Sequence, residues 1–374
     1  MAMDNNRQLL VSVLKAPSLC EALSSRQWEL LVRQARSSNL LAHLYHTTRG
    51  FSSNVPVEAL AHMEAAEVVS RHQRNAVLNE IHLLKAIMDE VGTRLVLLKG
   101  SAYIAAGLAV ANGRLLSDID ILINKNLLPQ AEKALALNGW FSIHHDRYDD
   151  RYYRKWMHEI PPLVQVKRQT NLDVHHTILP PTARYKPDPD KLFNQLTATS
   201  QQGVFTLSPQ DIVIHSATHL FHEGEFNHGL RDLVDISELI KEFSQDNPDF
   251  CENLPARARE LDLSRPLFYA FRYAISILDA PISETAYKMA SVEKPNGLTL
   301  AFMDFIFDRA LTPHHSSCNK TLSGLSRWIL YIRSHYLRMP THLLIPHLIR
   351  KAWKRRIKKP HDENRMEAHK VEEL

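Results

Sequence analysis

Asp118 and Asp120 are the two residues whose type and spacing most strongly indicate chemistry. They lie one residue apart in an otherwise apolar segment, residues 118–123. Because alternate residues of a β-strand point to the same face, the two carboxylates would lie side by side. Neighbouring carboxylates repel, and each raises the pKa of the other unless a cation lies between them. Since oxygen-rich sites suit Mg²⁺, the pair predicts a divalent-metal site.

A glycine-serine turn precedes the aspartates along the chain. An apolar run over residues 95–98 predicts a buried strand, which Gly100 and Ser101 end. The alanine-rich residues 102–110 then predict a helix. A turn of this kind before a helix start offers backbone N–H groups to an anion such as a phosphate. The segment therefore combines a predicted phosphate site with a predicted metal site.

A third acidic residue is predicted on the same sheet surface. Residues 163–167 and 172–179 have the pattern of two strands around a turn. Asp173 and His175 lie in the second of these strands and share one face by its period of two. Asp173 can thus reach the surface that carries the aspartate pair.

Helical patterns surround these strands. Apolar residues recur at spacings near 3.6 in residues 5–50 and 57–90, which predicts helices there. The prolines of residues 180–189 mark a boundary, and helical patterns resume after it and continue to about residue 310. The crowded polar residues 144–155 predict a loop or strand ends. The elements that position the acids are therefore a small sheet between two helical regions.

Composition indicates a globular, mainly helical protein. Apolar residues make up 44% and charged residues 23% of the 374 residues, and there are only 11 glycines. Three scattered cysteines imply no disulfide framework and favour a reducing cytoplasm. The N-terminus has no apolar core of signal-peptide length, and no run of about 18 apolar residues predicts a membrane span. We therefore expect a cytoplasmic protein.

The net charge of +4 conceals one strongly basic segment. Residues 327–359 contain ten Lys/Arg and no Asp/Glu, so the rest of the chain has a net charge of −6. A nucleic-acid-binding body is not supported, and nucleic acid is not an expected partner. The basic segment also contains aromatic residues. It could lie on an anionic membrane through residues 325–360, hold RNA phosphates, or pack as a solvated helix on the body.

Three motifs together resemble a known family. They are LLKGSA at 97–102, SDIDILI at 117–123 with an arginine before it, and LDVHHTIL at 172–179, and the helical flank with Trp28 matches as well. The chain is similar over about residues 20–310 to the uncharacterised bacterial nucleotidyltransferase family called NTP_transf_5, part of the polymerase-β-like superfamily.

The resemblance implies metal-dependent transfer of a nucleoside monophosphate from an NTP to a hydroxyl of a small molecule, glycan or protein. Asp118 and Asp120 would hold two Mg²⁺ or Mn²⁺ ions, and Asp173 would bind the metal nearest the acceptor and help to deprotonate its hydroxyl. Two such ions can clamp the attacking and leaving oxygens of an in-line displacement. Gly100 and Ser101 match the first motif of the superfamily and are its expected nucleotide contacts.

Several further residues have two interpretations each. Lys99 either contacts a phosphate as a point charge or forms a salt bridge with one of the aspartates. Arg114 either binds the triphosphate or orients its strand. His175 either orients Asp173 or contacts the nucleotide. Arg231 and Asp235, with Asp232, lie at helical spacing, and either bind the acceptor or nucleotide or form a structural ion pair.

Two histidine groups are candidate zinc sites, since imidazole and thiolate are the usual zinc ligands. Neither has a complete recognised spacing, and packing or substrate contact is the competing interpretation. The two groups are His215, His219 and His222, and His314, His315 and Cys318.

The expected fold class is α+β, with a small mixed-sheet nucleotidyltransferase palm flanked by helical regions. Its four parts would be an N-terminal helical region, the palm, a C-terminal helical domain and a basic aromatic tail with a disordered end, over residues 1–90, 91–185, 186–320 and 321–374. The alternative to an enzyme is a catalytically silent nucleotide-binding or scaffold protein recruited to a membrane-associated assembly. In that case the protein would be peripheral at the inner face of the membrane.

Overall fold

The protein is described by a computed structural model that covers residues 8–142, 147–222, 224 and 226–345. Within these described residues, four α-helices precede the first strand. They are α1 (Leu9–Lys15), α2 (Ser25–Ser37), α3 (Leu41–Thr48) and α4 (Val57–Val91).

A seven-stranded mixed sheet lies at the centre of the described residues. Its order is β3-β4-β5-β2-β1-β7-β6, with β1 antiparallel to β2 and parallel to β7, and with β2 parallel to β5. The strands are β1 (Leu95–Leu98), β2 (Ile119–Leu122), β3 (Trp140–Ser142), β4 (Leu163–Gln165), β5 (Asn171–His175), β6 (Leu196–Ala198) and β7 (Val204–Leu207).

Helices cover the sheet and form the C-terminal part of the described residues. Those between the strands are α5 (Lys99–Ala106), α6 (Leu128–Leu137), α7 (Arg147–Trp156) and α8 (Pro189–Phe193). Those after the last strand are α9 (Pro209–His222), α10 (Gly229–Asp246), α11 (Phe250–Glu260), α12 (Ser264–Leu278), α13 (Glu284–Ala290), α14 (Gly297–Ala310) and α15 (Ser323–Arg338).

Local sequence explains where the helices that frame the site begin and end. A capping box between Ser24 and Gln27 starts α2. The helix α4 ends at Gly92, which takes the left-handed backbone conformation that closes many helices. All four residues of β1 are buried, as expected for a continuous apolar run in the middle of a sheet. The long helix and the buried strand that it leads into are therefore both encoded locally.

The predicted fold class is confirmed, with a mixed sheet and helical regions on both sides of it. The prediction of a loop or strand ends over residues 144–155 is wrong for residues 147–155, because the helix α7 begins at Arg147. Its polar residues belong to a strongly amphipathic helix. Residues 144–146 and the end of the chain from residue 346, including the expected disordered end, lie outside the described residues.

The first helix after β1 differs from its prediction in position. It begins at Lys99, immediately after the strand, and ends before Gly107, which has a positive φ of 70°. The predicted glycine-serine turn is therefore the first turn of α5. In the part of the chain that the structure describes, no helix is long and apolar enough to cross a membrane.

Two apolar cores hold these layers together. The larger one joins α4, the sheet and the helices from α9 to α14, and the smaller one joins the four N-terminal helices to α10. Leu230 and Val234 of α10 pack into the smaller core, whereas Leu233 and Ile236 of the same helix pack into the larger one. The helix α10 therefore fixes the N-terminal region relative to the sheet.

His43 of α3 should make stability depend on pH. Burial lowers its pKa to about 4, and His46 and Lys241 add repulsion, while a hydrogen bond to the Asn112 backbone acts in the opposite direction. An unfolded histidine has a pKa of about 6.5, so between these values only the unfolded chain binds the proton. The neutral, buried His43 therefore costs the folded protein no stability above about pH 6.5. As the pH falls from about 6.5 towards 4, protonation of His43 in the unfolded chain lowers the free energy of unfolding.

Urea unfolding at pH 7 and pH 5 would measure this effect. Between pH 7 and pH 5 we expect the free energy of unfolding of His43→Gln to fall by about 1–2 kcal/mol less than that of the wild type. This range allows for solvent screening, because His43 is only half-buried. The exposed His62→Gln is the control. Equal pH dependence in the His43→Gln variant and the wild type would contradict the assignment.

Candidate active site

Three acidic residues converge at one face of the sheet because of strand register. Leu98 at the end of β1 is paired with Asp120 in β2, and Asp120 is paired with Asp173 in the parallel strand β5. Paired residues on adjacent strands present their side chains to the same face. Asp118 lies two residues before Asp120 and so joins the same group. The predicted convergence of the three carboxylates is present in the fold.

Lys99 contacts the most buried of these carboxylates. Its Nζ lies 2.7 Å from Oδ1 of Asp120, so the salt-bridge interpretation of Lys99 describes what the structure contains. Lys99 has a φ of 48°, in the left-handed region that is costly for a residue with a side chain. This conformation lets the chain turn directly from β1 into α5. The backbone strain thus places an ammonium group beside the carboxylates.

His175 holds the same carboxylate from the other strand. Its Nε2 lies 2.9 Å from Oδ1 of Asp120, and both side chains are buried. Burial would raise the pKa of Asp120, but Lys99 and His175 outweigh it and hold that pKa well below its usual range. Asp120 is therefore ionised at neutral pH. Of the interpretations offered for His175, the structure favours orientation of a site carboxylate, although that carboxylate is Asp120 instead of Asp173.

The other two carboxylates have less compensation. Burial and the neighbouring Asp120 raise the pKa of Asp118, against opposing effects of Lys99 and Ser117. Burial raises the pKa of Asp173 to about 7, and Glu159, Asp120 and Asp118 add to the shift. These shifts are the sign of acids placed close together with too little positive charge around them. A bound cation would relieve this repulsion.

The donor set fits a divalent metal. Asp120, Asp173 and His175 each offer one ligand atom, and these three atoms lie within 4.8 Å of one another. Asp118 adds a further carboxylate at the same edge, and carboxylate oxygens are the preferred ligands of Mg²⁺ and Mn²⁺. The residues that are present therefore suit the metal that the sequence motif implies.

A cavity of about 130 Å³ opens beside the carboxylates. Residues of α5, β2 and the loop before β2 line one part of it, and residues of α9 and α10 line the rest. Its lining includes Lys99, Gly100, Tyr103, Arg114, Ser117, Asp118, Asp120, Ser216, His219, Arg231, Asp232 and Asp235. The cavity therefore brings two of the three predicted metal ligands, Asp118 and Asp120, together with most of the predicted binding residues.

Two charge pairs line the helical wall of this cavity. Nη1 of Arg114 lies 3.0 Å from Oδ2 of Asp235, and Nη2 of Arg231 lies 2.6 Å from Oδ1 of the adjacent Asp232. Burial raises the pKa of Asp235 to about 6, because Arg114 and Arg231 offset that effect only in part. Nε of Arg114 is buried with no hydrogen-bond partner. The ion-pair interpretation describes these residues, and Arg114 keeps a donor for a ligand.

Gly100 and Ser101 serve the site in different ways. Gly100 lines the cavity, whereas Ser101 is buried and its hydroxyl donates to the backbone carbonyls of Leu98 and Asp120. Both lie in the first turn of α5, whose N–H groups have no acceptor within the helix. A phosphate contact of Ser101 would therefore use its backbone N–H, since the hydroxyl ties α5 to β2.

Gly100→Ala should destabilise the wall of the cavity. A Cβ atom at this position would lie 2.9 Å from Cδ2 of Leu116 and 3.2 Å from Nε of Arg114. The backbone of Leu116 is held in place, because its N–H and carbonyl are both hydrogen-bonded to the side chain of Gln73, so only a rearrangement of the Leu116 side chain could make room. We expect a loss of about 1–3 kcal/mol of stability in urea unfolding.

Gly297→Ala is the matched control for this substitution. Gly297 is also in the first turn of a helix, but nothing lies within 4 Å of its added Cβ. A Gly100→Ala protein as stable as the Gly297→Ala protein would show that the close approach of α5 to Leu116 is unimportant.

Several site residues were missed by sequence reasoning. Glu159 pairs with His175 as an isolated β-bridge outside the named strands, so no strand pattern marked it. Tyr103, whose hydroxyl lies 2.7 Å from Oγ of Ser216, had the appearance of an apolar helix residue. The acidic and histidine content of residues 158–160 was the available signal for Glu159.

Neither candidate zinc group forms a metal site in the described residues. Among the described residues, the clusters of His, Cys, Asp and Glu with ligand atoms in reach of one ion include neither group. His222 instead places Nδ1 3.1 Å from the Thr218 carbonyl, and His315 places Nδ1 2.8 Å from Oγ of Ser317. Packing and local hydrogen bonds, the competing interpretation, account for these two histidines.

Comparison with known proteins identifies the class to which this site belongs. A family model described as "uncharacterised nucleotidyltransferase" matches residues 24–279, which include every strand of the sheet and the residues that line the cavity. The chain belongs to this family. It is therefore a nucleotidyltransferase, a class of enzyme that takes a nucleoside triphosphate as substrate and generally uses a divalent metal. Searches of curated proteins and of solved structures found no match.

Proposed function

We propose that the protein transfers a nucleoside monophosphate from an NTP to a hydroxyl acceptor, in a reaction that depends on Mg²⁺ or Mn²⁺. One observation carries the proposal. Asp118, Asp120 and Asp173 converge beside a cavity that also contains Lys99 and Arg114. Carboxylates that need a cation and basic groups that suit phosphate are the two requirements of phosphoryl-group chemistry.

The acidic residues would hold the cation and receive a proton. Asp118, Asp120 and Asp173 are the proposed ligands. When bound, the metal supplies charge neutralisation to the triphosphate and to the departing pyrophosphate. Asp173, whose pKa burial raises to about 7, is the proposed acceptor of the proton that the hydroxyl loses. The hydroxyl oxygen forms a bond to the α-phosphorus, and the bond from that phosphorus to the pyrophosphate oxygen breaks.

Basic groups would position the triphosphate. Lys99 stands at the start of α5, where the first N–H groups of the helix are free to bind an anion. Arg114 contributes a guanidinium Nε that has no partner and lines the same cavity. His175 would act through Asp120, which it orients by a hydrogen bond. These residues supply positioning and positive charge, which are the main protein contributions in such reactions.

The acceptor would approach from the side of α10. Arg231 and Asp235 of this helix line the same cavity as Asp118 and Asp120. The charge pairs there give the acceptor both a donor and an acceptor of hydrogen bonds. We therefore propose a polar, hydroxyl-bearing acceptor, which a small molecule, a glycan or a protein side chain would satisfy.

Calorimetric titration with ATP, CTP, GTP and UTP tests this function. We expect at least one NTP to bind, with an affinity that falls at least tenfold when Mg²⁺ is removed with EDTA. The same NTP should then release pyrophosphate when acceptors of the three classes are supplied. Binding that is independent of metal, or no binding at all, would overturn the proposal. Metal-dependent binding without release would favour the silent scaffold.

A second proposal concerns an anionic membrane surface as partner. The helix α15 exposes Leu325, Trp328, Ile332 and Tyr336, which are between 44% and 60% exposed and share one face at spacings of three and four. The Lys/Arg residues of the segment from Arg350 to Lys359 follow in sequence and lie outside the described residues. An apolar face with aromatic residues next to basic residues suits a lipid interface.

Co-sedimentation with phosphatidylserine-containing vesicles tests this partner, with phosphatidylcholine vesicles as the neutral comparison. We expect binding to the anionic vesicles and at least a fivefold loss in a Trp328→Ser/Ile332→Ser variant. Val68→Ser/Val69→Ser removes two exposed apolar residues elsewhere and is the control. Equal binding of both variants, or none by the wild type, would remove the membrane as partner.

A further inference from the structure

A group of nitrogen and oxygen ligands lies behind Asp120, apart from the cavity. His158, Glu159 and His175 each offer one ligand atom, and these atoms lie within 4.8 Å of one another. Glu159 reaches His175 because the two residues pair as an antiparallel β-bridge. The N–H of Ile160 also donates to the Val174 carbonyl at 3.1 Å. Backbone pairing therefore fixes the segment that carries His158 and Glu159 against β5.

One ring nitrogen of His175 is available for a ligand. Its Nε2 is engaged with the Asp120 carboxylate at 2.9 Å, which places the proton of a neutral ring on that nitrogen. Its Nδ1 is buried, has no hydrogen-bond partner, and lies 3.6 Å from Oε2 of Glu159. A carboxylate that orients a metal-binding histidine through the opposite ring nitrogen is a common arrangement at metal sites. Nδ1 is thus the nitrogen of the His175 ring that lies near Glu159 and makes no hydrogen bond.

The separations suit two ligands of one ion better than a hydrogen bond. At 3.6 Å, Nδ1 of His175 is too far from Oε2 of Glu159 for a good hydrogen bond. Nε2 of His158 lies 4.0 Å from the same oxygen. Ligand atoms about 2.0–2.2 Å from a tetrahedral Zn²⁺ are roughly 3.3–3.6 Å from each other. A small inward movement of side chains would complete this geometry.

We propose that His158, Glu159 and His175 form a second cation site, selective for zinc or another late first-row divalent metal. Two imidazoles and one carboxylate leave a fourth position open and favour such ions over Mg²⁺, which prefers oxygen ligands. This site shares His175 with the donor set beside the cavity, but its other two ligands, His158 and Glu159, are not among the metal ligands of the proposed function, and it does not depend on that function. Its ion would lock His175 and hold Asp120 in position from behind.

The experiment uses the full chain after treatment with EDTA and dialysis. Calorimetric titration with Zn²⁺ should show one tight site per chain that a large excess of Mg²⁺ does not remove. Titration with Co²⁺ should produce the visible absorption of a nitrogen- and oxygen-ligated ion. We expect Glu159→Gln and His158→Ala each to weaken Zn²⁺ binding at least tenfold, whereas His43→Gln, remote from the site, should not change it.

Three results would overturn the proposal. They are no Zn²⁺ binding by the wild type, equal binding by the wild type and both ligand variants, and binding that is lost in Asp118→Asn and displaced by Mg²⁺. The last result would place the ion at the carboxylate site instead. Since the competition with Mg²⁺ is measured on the wild type, it distinguishes this site from the carboxylate site even where a ligand variant does not fold. None of these readouts uses nucleotidyl transfer, so failure here and failure of the proposed reaction are distinguishable.

Discussion

Asp118→Asn should lower NTP turnover at least about a hundredfold while leaving the fold intact. The substitution keeps the shape of the side chain and removes the charge that would hold the divalent metal. Asp118 is only partly buried, and its carboxylate accepts a hydrogen bond from the adjacent Ser117 hydroxyl at 2.9 Å, which an amide oxygen can also accept. The loss should therefore fall on metal-dependent chemistry and spare stability.

Asp120→Asn should also abolish turnover, but with a second effect on folding. Its carboxylate is the partner of both Lys99 and His175 in a buried setting. Removal of that charge leaves an ammonium and an imidazole without compensation, which is costly at a buried position. We expect a lower free energy of unfolding for Asp120→Asn than for Asp118→Asn. This difference separates a residue that serves chemistry alone from one that also holds the site together.

Pyrophosphate release and circular dichroism would measure the two effects. The control is Asp89→Asn, which changes an exposed carboxylate at the end of α4 that is paired only with Lys85 four residues earlier. Asp89→Asn should behave like the wild type in both measurements. Full turnover by Asp118→Asn would remove that carboxylate from the proposed metal site.

Arg257→Leu should destabilise the protein by about 3–5 kcal/mol. Arg257 in α11 donates from Nε and Nη2 to the two carboxylate oxygens of Asp211 in α9, at 2.7 and 2.8 Å. Asp211 is 1% exposed, and Arg257 is 7% exposed. Leucine fills a similar volume but leaves the carboxylate buried without its partner. The pair joins the helix that lines the cavity to the helix behind it.

Arg154→Leu provides a matched control for this ion pair. Arg154 makes an equally regular double contact, with Nη1 and Nη2 at 2.7 and 2.8 Å from the carboxylate of Glu132, but its side chain is 43% exposed. We expect a loss of no more than about 1 kcal/mol, since exposed pairs contribute little. Urea unfolding of the two variants would compare them. Equal losses would mean that burial does not govern the strength of these pairs.

The arrangement of the acids was predictable because it follows from two short-range rules. The period of two places Asp118 and Asp120 on one face, and the same period places Asp173 beside His175. The parallel pairing of β2 and β5 was not deducible from these segments alone. It depends on how the rest of the chain orders the strands. The family resemblance implied only that the three acids serve one metal site, and the register of Asp120 with Asp173 agrees with that.

Glu159 and the helix α7 were not predictable for different physical reasons. Glu159 joins the site through a single bridge to His175, which has no periodicity that a sequence pattern could reveal. The helix α7 consists largely of charged and aromatic residues that propensity alone assigns weakly to any state. Contacts such as those of Arg154 with Asp150 and Glu132 support that helix, and the contact with Glu132 depends on tertiary structure.

The pairing of β1 with β7 has a consequence for any attempt to divide the chain. β7 lies beyond residue 186, yet it forms the parallel neighbour of β1 on the side opposite β2. A fragment that stops at residue 185 would leave β1, four apolar residues long, as an open sheet edge with a row of unpaired backbone groups. Such edges recruit other chains, so we expect the isolated palm to aggregate. A fragment that continues through residue 207 would keep that edge covered.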